Sequence, residues 1–489
     1  MRLRKLSLLV LATLLLLTPL IGCSSKENTT GTTNTSDTAA ANKDGESRTL
    51  IIATAFPEAF ARDQFINKFL IKYPDIKVEF IDFSDKLMKL QQEMMNAQAG
   101  EESSTSISYY KMYEEALLSD PSPDIILLNG DIIGQLVEKD LLMPLDPLLE
   151  QHNFKKERYY PNVLQQLQQM GNGTIYGLVT GFNNQAIFYN KTLFEQAKIE
   201  TPQDGMTWND LQQLAIQMTN TDQEKPVYGF DYGRFIYQDN PFMFLVDYAR
   251  PYDISFIDPV DQKIVMDTEA WKEIWQGVVD LFQTGAIPPL KETNPAEIMA
   301  NPNSDAMLSP FYKGEVAMTT GYAMEIEMIK MFKQMFPKEM ENLEFDIVTY
   351  PTHSKFPNVG SAVIFANLYA IPKGANNLDE AWTFLEYITS PEYLQHHKDM
   401  LDPLPAFQDQ VINNDTVHMD AFYSLDTAPY QKTFDELPTI LEIYEVGSTE
   451  LKRAINNEIS VDEAIANFQS KAQPLLEEGL KQLEEDKKK

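Results

Sequence analysis

PDIILLNGD, Pro123 to Asp131, holds four consecutive apolar residues, Ile125 to Leu128, between a proline and a glycine. A run with no polar alternation leaves no face for water, so it reads as a strand covered on both sides, the kind found in parallel sheets. Upstream, TLIIATA (Thr49 to Ala55) is another short β-rich run, and Phe60, Phe65, Ile66, Phe69, Leu70 and Tyr73 follow it at helical spacing. Ile76, Val78 and Phe80 then alternate with charged residues, and Leu87, Leu90 and Met94 return to helical spacing. The series βαβαβ predicts an open parallel sheet. Ligands of such sheets bind beyond the carboxyl ends of the strands, which makes the loops after Ala55 and Leu128 the places to look.

Further along, the pattern repeats less regularly. Ile187 to Tyr189, Val316 to Met318 and Asp346 to Val348 read as strands. Thr207 caps a helix entered through Trp208 and Asn209, and Asp210 completes a capping box. Asp379 opens a helix running to Ile388, and Ser460 to Glu463 form a capping box for a last amphipathic helix carrying Ala464, Ile465 and Phe468. Residues 96 to 122, rich in Ser, Glu and Tyr, read as an insertion with one helix, Tyr109 to Leu118. Trp208, Trp271, Trp275 and Trp382 all fall at helical positions and are expected in the core.

The 489 residues suffice for two or three domain-sized units. With 72 acids against 40 Lys and Arg, a net charge of -32 repels nucleic acid and anionic lipid headgroups. The sole cysteine, Cys23, excludes an intramolecular disulfide and a thiolate zinc cluster. Arg2, Arg4 and Lys5 precede an apolar run from Leu6 to Ile21, the form of a secretory signal. Its end, Leu20-Ile21-Gly22-Cys23, resembles the lipobox of bacterial lipoproteins, which implies removal of residues 1–22 and a diacylglycerol on the Cys23 sulfur. An ordinary signal peptide with an incidental cysteine is the alternative. Residues 23–47 then read as a lipidated cysteine and flexible tether, displaying the body on the outer face of the bacterial cytoplasmic membrane.

Several ordered segments resemble those of the extracellular solute-binding proteins that serve carbohydrate ABC importers, the maltose-binding type. They are PDIILLNGD with LVEKDLLMPLD (Leu136 to Asp146), IYGLVTGFNNQAIFYNKTLFEQA (Ile175 to Ala197), MTWNDL (Met206 to Leu211), KGEVAMTTG (Lys313 to Gly321), LYAIPKGANNLDEAWTFLEYITSPE (Leu368 to Glu392) and VDEAI (Val461 to Ile465). The resemblance implies two α/β lobes joined by crossing strands, with a ligand cleft between them. Lobe one would hold residues 48–181 plus 359–400, and lobe two residues 182–358 plus 401–489. It further implies a monomer without cofactor that binds a solute, a carbohydrate, and hands it to permease subunits, its only membrane contact being the lipid.

The resemblance also implies site residues. Asp131 falls where the family places an acid accepting hydrogen bonds from sugar hydroxyls, with capping of the next helix as its structural alternative. Asn183 stands where a relative has an acidic contact, and as an amide it is either a ligand contact or a hinge residue. Tyr237, Tyr322 and Tyr444 are candidates to stack on the C–H faces of sugars, each with a half-buried structural role as the alternative. Other functions leave less trace. His152, His353, His396, His397 and His418 form no HExxH or HxH arrangement, and no GxSxG elbow or phosphate-binding loop occurs. A glycosidase acid pair cannot be singled out among 72 acids. A receptor for a peptide or other polar solute on the same fold is the nearer alternative.

Overall fold

A computed structural model describes residues 48–98, 109–222, 225–233, 240–258, 260–289, 308–365, 367–395, 403–410, 416–431, 434 and 437–486. The expected signal peptide, Cys23, the tether and Tyr237 lie outside these residues, as does part of the expected insertion. In chain order the strands are β1 (Arg48–Thr54), β2 (Ile76–Asp82), β3 (Ile125–Leu128), β4 (Gly177–Val179), β5 (Gly181–Phe182), β6 (Gln185–Asn190) and β7 (Tyr228–Asp231). They continue with β8 (Ile257–Asp258), β9 (Lys263–Ile264), β10 (Val316–Tyr322), β11 (Phe345–Thr349), β12 (Leu368–Ala370) and β13 (Leu404–Pro405).

The first sheet runs β2-β1-β3-β12-β4. β1 is parallel to both neighbours, with Ile52 opposite Phe80 on one side and Ile125 on the other. All four residues of β3 are buried, as a strand covered on both faces requires. The expectation of a purely parallel sheet is corrected at β12, which is antiparallel to both β3 and β4 and sets Tyr369 opposite Leu127 and Leu178. β12 enters from the opposite end because the chain has by then visited the second sheet and returned. Asp124, fully buried at the head of β3, accepts from the Ile51 amide at 2.9 Å, from the Asn376 and Asn377 amides at 3.1 and 2.9 Å, and from Asn377 Nδ2 at 2.9 Å. This one carboxylate ties β1 to the loop that leads into the helix Leu378–Ile388.

The second sheet runs β11-β6-β10-β7, with β10 antiparallel to β6 and parallel to β7. The Thr207 and Asp210 capping box forms as expected at the start of Trp208–Met218. All four tryptophans are buried: Trp208, Trp271 and Trp275 beside the second sheet, Trp382 in the first core, stacked on His152. The last two helices, Ile440–Ile455 and Val461–Asp486, close over that second core around Glu450. Its carboxylate is buried and satisfied by Lys471 Nζ at 2.5 Å, Arg453 Nη1 at 2.8 Å and Asn467 Nδ2 at 3.1 Å. Cations on exposed stems thus hold a buried acid, which would be costly if left alone.

Three chain segments cross between the sheets. The first, between β4 and β6, pairs with the second, between β11 and β12: the Asn183 amide donates to Ile364 O at 2.8 Å and the Ile364 amide returns to Asn183 O at 2.9 Å. The third includes residues 403–410 and 416–431. It pairs through β13 with β5, and Val363 N donates to Thr427 Oγ1 at 3.0 Å. Gln166 Oε1 accepts from Thr427 Oγ1 at 3.0 Å, and Gln169 Oε1 from the Tyr430 amide at 2.8 Å, fixing this segment along the helix Pro161–Met170.

A polar cleft where three segments cross

Two depressions meet at the crossing. One is lined by Gln185, Asp247, Arg250, Tyr350, Ser361, Ala362 and Ile364. The other, somewhat larger, is lined by Gly130, Gln166, Met170, Arg250, Tyr430, Gln431 and residues 362–365. They share Arg250, Ala362 and Ile364, so the cleft is centred on one guanidinium and one crossing strand.

Arg250 ends up there because Pro241–Ala249 is an almost wholly apolar helix that buries Phe242, Phe244 and Leu245, with Asp247 as its one charge and Arg250 at its C-cap. Asn240 caps that helix, accepting from the Phe242 and Met243 amides. One turn before Arg250, Asp247 accepts from Nε at 2.5 Å. Burial works against the Arg250 charge, but Asp247, with the Tyr444 and Tyr322 phenols adding to the field, holds its proton more firmly than usual. On the helix Met324–Met335, which follows β10, burial raises the Glu325 carboxyl to about 7, and the Tyr312 hydroxyl is its hydrogen-bond donor.

The crossing strands are held by a buried amide and hydroxyl set. Asn184 Nδ2 donates to Phe422 O at 2.8 Å, and Ser361 Oγ donates to Asn184 Oδ1. The Gln185 amide is shared between Asn184 Oδ1 at 2.9 Å and Ser361 Oγ at 3.0 Å. Asn183 itself closes the backbone bridge between crossings, and its Oδ1 is buried without a protein partner.

Asp131 belongs to a short turn, Gly130–Ile132, directly after β3, and Gly130 lines the larger depression. The following helix, Ile133–Glu138, has Ile132 at its cap position, so Asp131 is not its N-cap. At Gly130 a Cβ would come within 3.1 Å of Met170 Cε and Phe365 O, so a side chain there would crowd both. Tyr322 ends β10 opposite Gln185, whose Nε2 reaches its hydroxyl at 3.4 Å. Tyr444 is half-buried on Ile440–Ile455, with its ring 5.9 Å from those of Phe242 and Phe256. Asn183 thus lies in a crossing segment and Tyr322 reaches Gln185, which lines one depression, but none of Asp131, Asn183, Tyr322 and Tyr444 is itself among the residues lining the two depressions.

Sequence reasoning missed Arg250, Gln185, Ser361 and Tyr430. For Arg250 a signal was available: Asp247 near the end of the apolar run PFMFLVDYA and Arg250 directly after it are three residues apart, the spacing of a helical ion pair. No comparable pattern marks the other three, which are set by how the lobes meet. Among the described residues no group of His, Cys, Asp and Glu could hold a metal ion.

Two α/β sheets, three crossings and a polar cleft between them define a two-lobed binding protein. The chain belongs to the bacterial extracellular solute-binding proteins, whose family model matches residues 106–422. Solved structures of the same fold include the sugar-binding protein MalE from Xanthomonas citri, at 17% identity and a TM-score of 0.62 over 88% of this chain and 98% of that one. A sugar transporter from Rhizobium etli in an open conformation matches at 17% identity and 0.60, over 86% and 98%. The cyclic alpha-maltosyl-1,6-maltose binding protein from Arthrobacter globiformis matches at 16% and 0.57, over 88% and 99%.

Proposed function

We propose that this protein is the substrate-binding component of an ABC importer, capturing an extracellular oligosaccharide between its lobes and delivering it, unchanged, to a membrane permease. The observation that carries this reading is the polar cleft at the crossing of three segments, where hinge bending would let both lobes close on one solute. The carbohydrate assignment draws support from the sugar ligands that several structural neighbours are named for. In this reading Asp131 supplies a hydroxyl-accepting carboxylate from lobe one, Tyr322 and Tyr444 supply ring faces from lobe two, and Asn183 serves the hinge. Lobe one comprises residues 48–181 and 359–400, and lobe two residues 182–358 and 401–489.

Binding only to the closed form would stabilise the protein by RT ln(1 + [L]/Kd), about 2.7 kcal/mol at a hundredfold excess over Kd. A thermal-shift screen with mono- and oligosaccharides should therefore raise the melting temperature for at least one sugar. No shift with any carbohydrate, beside a clear one with peptides or polyamines, would replace the sugar by another solute. Attachment is expected through a lipid on Cys23, which ends the segment Leu20-Ile21-Gly22-Cys23 that resembles a lipobox. Cys23→Ala should then move the protein from the membrane fraction to the soluble one, and unchanged fractionation would refute the anchor.

A further inference from the structure

Arg250 is held on both sides of its Cα. Its Nε is committed to Asp247, one turn back, and the chain continues through the buried Pro251 to Asp253, whose φ of 52° places it in the left-handed region. The guanidinium is therefore fixed in place, with about a quarter of the side chain exposed (26%). Its two Nη groups carry four N–H donors, and among the described residues none of them meets a protein acceptor. The side chain lines both depressions, so these donors are directed at whatever fills the cleft.

A guanidinium edge presents two parallel donors in a rigid fork, and such a fork fits two oxygens held close together. A carboxylate offers that pair, and so do adjacent hydroxyls on a sugar ring. Charge decides between them. Asp247 pairs with Arg250, and among the described residues the other polar side chains lining the two depressions, Gln166, Gln185, Tyr350, Ser361, Tyr430 and Gln431, are uncharged. Among the described lining residues a bound carboxylate would find no second cation, and it would approach a chain whose net charge is -32.

We propose that Arg250 is a ligand-binding residue whose Nη edge donates to two neighbouring hydroxyl oxygens of a neutral sugar, and that the cleft selects against acidic sugars. This rests on the carbohydrate reading above. Asp247 is the positioning residue, since it turns the fork toward the ligand and cancels the charge that would otherwise attract uronic acids.

Isothermal titration of the wild type, Arg250→Met and Arg250→Lys with maltotriose, mannotriose and trigalacturonate tests it, with circular dichroism to establish folding. The wild type should bind at least one neutral trisaccharide and bind trigalacturonate more weakly. Both variants should bind the neutral sugar at least tenfold more weakly. Arg250→Lys should be nearly as impaired as Arg250→Met, because an ammonium keeps the charge and loses the fork. Wild-type affinity in either folded variant overturns the assignment, as does tighter binding of trigalacturonate than of the neutral sugars. A wild type silent towards both neutral sugars in this titration, and towards every sugar in the thermal screen, overturns the carbohydrate reading and this inference with it. Failure of Arg250 alone is recognised by the wild-type titration succeeding.

Discussion

Asp124→Ala should lower the free energy of unfolding by about 3 kcal/mol, read as a reduced midpoint in urea with an unchanged slope. The carboxylate is fully buried and accepts four hydrogen bonds, one of them from the Ile51 amide in the middle of β1. Alanine leaves that amide without an acceptor in the core, where water cannot replace the lost oxygen. The Asn376 and Asn377 amides are nearer the surface, and water offsets part of their loss. Asp124→Asn keeps one acceptor oxygen but turns the other into a donor facing N–H groups, so its stability should fall between the two. A stability loss below about 0.5 kcal/mol in Asp124→Ala would show that the β1 to loop connection does not depend on this side chain.

Gly447→Ala should cost about 2 to 3 kcal/mol, against the usual rule that alanine stabilises a helix relative to glycine by about 1 kcal/mol. Gly447 lies inside Ile440–Ile455, and a Cβ there would stand 2.4 Å from Phe242 Cγ and 2.5 Å from both Cδ atoms. The Phe242 ring has nowhere to go. It is fully buried, with the rings of Phe468 at 4.8 Å and of Trp275, Phe256 and Tyr444 at 5.9 Å. The helix must therefore move outward, taking Tyr444 with it. Urea unfolding decides the sign, and an unchanged or raised midpoint would mean that the two helices tolerate separation without loss.

How much could be read in advance depended on whether a position is governed by its own neighbours in the chain. The β3 run was legible because burial on both faces removes every polar residue from Ile125 to Leu128, and the Thr207 capping box because its partners are three residues apart. The loop after β3 was likewise found at the cleft, since the carboxyl end of a strand is fixed by the strand itself. β12 was different: three residues, Leu368 to Ala370, carry no direction of their own, and their antiparallel pairing is set by where the chain re-enters the sheet. Ser361 and Gln185 meet only because two crossing segments, 176 positions apart in sequence, are brought side by side.

The most direct test of a ligand cleft between lobes is the distance between the lobes with and without sugar. Cys23 is the chain's only cysteine, so Cys23→Ser leaves a background into which label sites can be placed. Ile71→Cys on the first lobe and Val260→Cys on the second suit this purpose, being 81% and 87% exposed. Spin-label distances between them should shift to a distinct distribution when a sugar identified by thermal shift is added to saturation, and Arg250→Met should need a higher sugar concentration for the same change. A distribution unchanged by sugar, while calorimetry shows that sugar bound, would contradict closure of two lobes on a shared solute.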